Sequence, residues 1–211
     1  MKSLADSRLH LITDRSLCGD KPLQETVSAA VEGGVDAVHL REKDLATSDL
    51  YAMALQLRDT TKGRALLIIN DRMDIALAVD ADGVQLGHDA LPLPVARGLA
   101  GEGMLLGRSV HSLEEALEAQ RLGSDYLLVG TIYPSRSHPQ LKVSGLDLLR
   151  RVRTSVDLPI YAIGGINAEN APEAIRAGAN GVAVISAILG AADVKEATVK
   201  LLRALEGALK G

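Results

Sequence analysis

The chain has 211 residues, 47% of them hydrophobic and 24% charged, with 23 Lys and Arg against 27 Asp and Glu for a formal net charge of −4. That size supports one globular domain, able to bury about 70% of its unfolded surface without metals or disulfides as staples. Trp and Phe are absent and only four Tyr are present, which leaves no stacking platform for single-stranded nucleic acid, and the mild acidity disfavours DNA or an anionic membrane as a bulk partner.

Short apolar runs alternate with helix-like stretches from end to end, the pattern of parallel strands joined by crossover helices. Strands are predicted at 9–13, 37–41, 65–70, 83–86, 104–109, 126–130, 159–163 and 181–185. The helices that follow them are predicted at 22–33, 47–62, 72–79, 92–99, 112–122, 145–155, 168–177 and 194–209. Ser112 with Glu115 three residues on is a capping-box start, and Pro172 suits a first helical turn. The turns entering strands repeat a theme around Asp36, Asp82, Asp125 and Asn180, spaced by 46, 43 and 55 residues, which argues for one periodic array. Eight such units in a single domain spanning 1–211 predict an α/β fold, the (β/α)8 TIM barrel, with an open doubly wound sheet as the rival. The lone Cys18 permits no intramolecular disulfide and suits a reducing cytoplasm. The first eight residues lack a signal-like apolar run, and no window approaches the ~18 apolar residues of a membrane span.

Turns leaving the strands carry the charged and reactive residues, and in a barrel they converge on one face. Alternation puts His39 and Arg41 on one side of the second strand, with Lys43 just beyond, while Val38 and Leu40 face the helices. Charges aimed into a barrel mouth call for an anion or a partner, so Arg41 and Lys43 suit a phosphate or diphosphate; the alternative is an ion pair with Glu42 or Asp44. Asn70-Asp71 offers oxygen ligands for Mg²⁺ or, equally, a helix N-cap, and Asp89 is the natural place for a second carboxylate. Ser109 and His111 face the mouth or start the next helix. The 131–139 segment, with Ser135, Ser137 and His138, is a lid or a solvated connection. Gly164-Gly165 and Ile185-Ser186 place small residues where backbone N–H groups can approach a phosphate; the plainer reading of the glycines is a tight turn.

Taken in order, Leu40-Arg41-Glu42-Lys43, Asn70-Asp71, Gly83 to Gly87, Gly107 to His111, Gly130 to Ser135, Ile163-Gly164-Gly165-Ile166 and Ile185-Ser186-Ala187-Ile188 resemble the motifs of the thiamin phosphate synthase and thiazole tautomerase (TenI) superfamily, from Leu9 to about Leu205. The resemblance implies a thiamin-biosynthesis enzyme that joins hydroxymethylpyrimidine diphosphate to thiazole phosphate with Mg²⁺-assisted release of diphosphate. It assigns Arg41 and Lys43 to the leaving group and Asp71, with Asp89, to the metal. His39, Asn70, Ser109, Ser135, Ser137, His138, Gly165, Ile185 and Ser186 fall to the substrates, with His138 a candidate for proton transfer. A homodimer is compatible with this reading.

The chain departs from the family pattern in informative places. Counted from Gly87, the position of the second metal-binding Asp holds Ala90, with Asp89 one residue early; His39 stands where synthases usually have Gln, and Ser137-His138 where they usually have Thr-Lys. The tautomerase branch carries its catalytic His directly after the Gly that ends strand six, and here that residue is Thr131. Three alternatives to the synthase therefore stay open: the tautomerase, a non-catalytic thiazole-phosphate-binding barrel, and a barrel acting on another phosphate.

Overall fold

The computed structural model describes residues 4–101, 103–134 and 143–209. Strands β1 (Leu9–Ile12), β2 (Ala37–Leu40), β3 (Leu66–Asn70), β4 (Gly83–Leu86), β5 (Leu105–Val110), β6 (Tyr126–Val129), β7 (Ile160–Ile163) and β8 (Gly181–Val184) close into one parallel barrel in sequence order. Around it run α1 (Leu23–Gly33), α2 (Thr47–Thr61), α3 (Met73–Ala78), α4 (Leu93–Ala100), α5 (Leu113–Arg121), α6 (Gly145–Arg153), α7 (Ala171–Arg176), the one-turn α8 (Ser186–Leu189) and α9 (Val194–Leu209). The closed ring excludes the open-sheet rival.

Each strand lies within a residue of its expected ends, because buried apolar runs bounded by Gly and Asp turns leave little freedom. Half of the expected capping box forms: Ser112 Oγ accepts from the Glu115 N–H, whereas a Glu115 carboxylate oxygen accepts from the N–H of His111, one residue before the cap. Helix α7 starts at Ala171, three residues later than expected. Asn167 and Asn170 hold the preceding turn by side-chain bonds to the backbone, at 2.8 Å from Glu169 N to Asn167 Oδ1 and 2.8 Å from Asn167 N to Asn170 Oδ1. The short α8 is an element that periodicity could not reveal.

The strand registers give the barrel a shear of eight: Ile12 pairs with His39, His39 with Ile68, Ile68 with Gly83 and Gly83 with Leu105, and the remaining pairs bring the walk back to the β1 side at Leu4, eight residues from its start. Inward residues therefore stack in layers from alternate strands. From the N-terminal rim upward these are Ala37, Gly83, Tyr126 and Gly181; His10, Ile68, Gly107 and Tyr161; His39, Gln85, Leu128 and Ala183; then Ile12, Asn70, Ser109 and Ile163 at the mouth. Gly107 is required by packing: a Cβ there would lie 2.2 Å from Tyr126 Cζ and 2.3 Å from Gln85 Oε1, so the Tyr126 ring fills the space that a side chain on β5 would take. Outward residues such as Leu11, Val38, Leu40, Leu67 and Leu127 join the larger core under the helices.

The repeated turns have a common job at the N-terminal rim. Asp36 Oδ2 accepts from the Arg8 and Leu9 N–H groups, Asp82 Oδ2 from Leu67 N–H at 2.6 Å, Asp125 Oδ2 from Leu106 N–H at 2.7 Å, and Asn180 Oδ1 from Ile160 N–H at 2.9 Å. Each side chain at the entry of an even strand thus clasps the start of the odd strand before it. Arg58 pairs with Asp82 at 2.9 Å and Arg97 with Asp125 at 2.6 Å from the surrounding helices.

Candidate active site

At the opposite rim the β2 and β3 exits meet. A cavity of about 220 Å³ is lined by Arg41, Glu42, Lys43, Asn70, Asp71 and Arg72 among others, so four residues singled out in the sequence share one wall. The Arg41 N–H donates to Thr13 Oγ1 at 2.9 Å, which fixes the strand end, and Lys43 is exposed. Their acidic neighbours are engaged elsewhere. Arg15, from the turn after β1, donates to Glu42 at 3.0 Å and to Asp44 at 2.6 Å, and the hydrogen bond from Arg15 lowers the Asp44 carboxyl below its ordinary range. This brace was not foreseen, because sequence spacing of 27 residues carries no signal of contact.

Asp71 has φ 60, a left-handed conformation uncommon outside glycine, and its N–H extends the β3–β4 ladder to Gln85 O at 2.9 Å. Its Oδ2 accepts from Asn70 Nδ2 at 2.6 Å and its Oδ1 from Gly87 N–H at 2.7 Å. Helix α3 begins at Met73 with Arg72 at the cap position and no side-chain cap bond, so neither Asn70 nor Asp71 is an N-cap. The carboxylate is instead held at the mouth, with lone pairs remaining for a cation. Asp89 is exposed on the loop after β4, and Ala90 is half-buried against the outer core. Among the described residues no cluster of three or more His, Cys, Asp or Glu side chains is placed to hold a metal. The donor set fits Mg²⁺ as an ion with one protein carboxylate, its other ligands being phosphate oxygens and water.

Deeper in the mouth, Ser109 Oγ accepts from Gln85 Nε2 at 3.0 Å. His39 is fully buried in the same layer as Gln85, as alternation required. His111 is spent on structure, its Nδ1 lying 2.6 Å from Gly130 O. Ser135, Ser137 and His138 lie outside the described residues. Gln85 is the inward residue that sequence reasoning missed; strand alternation from Gly83 would have found it.

On the other side, Gly164 and Gly165 have φ 100 and 63. A Cβ on Gly164 would lie 2.5 Å from Thr131 Cγ2 and one on Gly165 2.4 Å from Pro134 O, while Ile132 and Tyr133 donate N–H bonds to Ile163 O and Gly164 O. The glycines therefore seat the β6 exit as well as making the turn. Next to them, half-buried Ile185 and exposed Ser186 begin α8, so the ends of β7 and β8 with a short extra helix reproduce the arrangement by which barrels bind phosphate.

Arg41, Lys43 and Asp71 at the β2 and β3 exits and the glycines at the β7 exit thus gather on the C-terminal face of a (β/α)8 barrel, the face on which barrels of this class keep their chemistry. The family model described as thiamine monophosphate synthase matches residues 9–188, and the chain belongs to that family. It is 46% identical over 203 residues to a thiamine-phosphate synthase of Pyrococcus furiosus, covering 96% of each chain, and 47% identical over 204 residues to one of Chloroflexus aurantiacus, covering 96% and 94%. A solved thiamine phosphate pyrophosphorylase from Pyrococcus furiosus superposes with a TM-score of 0.90 at 45% identity, covering 97% of this chain and 98% of that one. A 3-hexulose-6-phosphate synthase, at 19% identity and a TM-score of 0.73, shares the fold alone.

Proposed function

We infer that the chain is a thiamine-phosphate synthase, a transferase joining hydroxymethylpyrimidine diphosphate to thiazole phosphate with release of diphosphate. The observation that carries this is near full-length identity of 46% to a relative of that name. In this reading Arg41 and Lys43 take the oxygens of the diphosphate and stabilise the charge that grows as it leaves. Asp71, steadied by Asn70 and Gly87, would hold Mg²⁺, with Asp89 as its second carboxylate. When bound, the ion neutralises diphosphate charge and favours its departure. His39, Ser109 and the segment with Ser135, Ser137 and His138 take the pyrimidine, and Gly165, Ile185 and Ser186 receive the thiazole phosphate. Seating both substrates over one mouth makes attack of the thiazole nitrogen on the pyrimidine cation effectively intramolecular. A cytoplasmic setting and a homodimer belong to the same reading. So does contact with neither nucleic acid nor membrane, and among the described residues no helix is long and apolar enough to cross a membrane.

The test is an assay with purified protein, both substrates and Mg²⁺, following thiamin phosphate with and without chelator. Chelator-sensitive product is the expected result. No product, with thiazole phosphate still bound, would move the assignment to a tautomerase or a silent binding barrel.

A further inference from the structure

Beneath the mouth lies a polar chain that neither the diphosphate end nor the thiazole end uses. Ser7 Oγ lies 2.8 Å from His10 Nε2, and His10 Nδ1 lies 2.9 Å from His39 Nε2. Ser7 is 1% exposed and both imidazoles 0%. His10 rests on the Tyr161 ring at a centroid distance of 3.9 Å, and His39 meets Tyr126 edge-on at 6.3 Å. Burial keeps both rings neutral, pulling His10 down to about 3 and His39 well below its ordinary value, with the neighbouring His10 adding to the effect on His39.

A neutral imidazole has one N–H, so its two nitrogens never act alike. The chain therefore has two arrangements. In one, Ser7 donates to His10, His10 Nδ1–H donates to His39 Nε2, and His39 Nδ1 carries a proton. In the other every donor reverses and His39 Nδ1 is a bare acceptor. Either way the free end of the chain has one defined sign. That end, His39 Nδ1, is buried with no partner among the described residues, and Gln85 Oε1 and Tyr126 Oη share its condition. Gln85 commits its other end to Ser109 at the mouth. Buried polar atoms left unpaired are costly, and two of the three, His39 Nδ1 and Gln85 Oε1, share one layer of the barrel, a place suited to meeting a polar group.

We propose that His10 is a positioning residue: its bond to Nε2 couples the His39 tautomer to its own and to the Ser7 hydroxyl, so that one of the two arrangements alone is populated and Nδ1 with the Gln85 amide offers the pyrimidine end of the substrate pair a single hydrogen-bonding pattern. The choice of ligand rests on the synthase reading; the tautomer does not. Pyrimidine ring nitrogens accept and do not donate, so reversing the sign at Nδ1 turns an attraction into a repulsion.

The experiment combines ¹⁵N-histidine NMR of the full chain with steady-state kinetics for wild type, His10→Phe and His10→Asn. Phe keeps a ring on Tyr161 without nitrogens, and Asn places an amide near the Nδ1 position. In wild type, His39 should show one protonated and one unprotonated nitrogen, unchanged from about pH 5 to pH 8. His10→Phe should average or invert that pattern and raise KM for the pyrimidine diphosphate about tenfold, with kcat and KM for thiazole phosphate within about twofold. His10→Asn should restore both. A mixed tautomer in wild type, an unchanged His39 spectrum in His10→Phe, or KM values for both substrates rising together would overturn the proposal. Should His10→Phe fail to fold, Ser7→Ala releases the far end of the same chain and is read by the same spectrum. Wild-type inactivity would refute the synthase reading while the spectrum still decides the tautomer.

Discussion

The two rims of this barrel are built on opposite principles. At the N-terminal rim one device recurs: an Asx side chain entering each even strand clasps the preceding odd strand, and at Asp82 and Asp125 an arginine from an outer helix backs it. At the C-terminal rim the exits differ from one another, and those of β2 and β3 bring Arg41, Lys43 and Asp71 onto one wall. Repetition marks the end that holds the ring shut, and irregularity the end that performs chemistry.

The division can be broken deliberately. Lys43→Ala should lower synthase kcat/KM by about 10² to 10³, the loss typical of one group that stabilises developing charge, while the melting temperature stays put. An unchanged rate would remove the cationic wall from the mechanism. Asp82→Ala should do the reverse, costing about 2 kcal/mol in urea unfolding because Leu67 N–H loses its acceptor and Arg58 its carboxylate partner, with kcat within about twofold. A comparable fall in kcat would mean that the two rims are coupled.

The buried imidazoles between the rims sharpen the picture through pH. Both have depressed values in the folded protein, so they stay neutral where the unfolded chain takes up protons near 6.5. Their contribution is complete above that value and is lost as pH falls below it. Unfolding free energy should drop by about 1.4 kcal/mol per pH unit for each histidine between about pH 6.5 and pH 5. A flat profile over that range would show that the rings are wet.

What the sequence made legible follows the same division. Strand ends, the Asx turns and the Ser112 cap come through because their signals are local, a few residues of period or spacing. Arg41, Lys43, Asn70 and Asp71 were findable as exit residues, and the ring closure then brought them onto one wall. The Arg15 brace, the His10–His39 contact and the Tyr126 ring over Gly107 were hidden, since each joins residues far apart in the chain whose meeting is decided by register. Gly164-Gly165 shows a subtler limit: the pair looks like room for an anion, and part of that room is taken by the chain's own β6 exit.

The Arg15 brace changes how this protein is met from solution. The run from Arg41 to Asp44 alternates in sign and would neutralise itself if its members paired with one another, yet Arg15 claims both carboxylates from outside the run. Beside that run Arg15 adds a further positive charge, in a molecule whose formal net charge is −4. Where the charge sits, more than how much there is, governs the encounter.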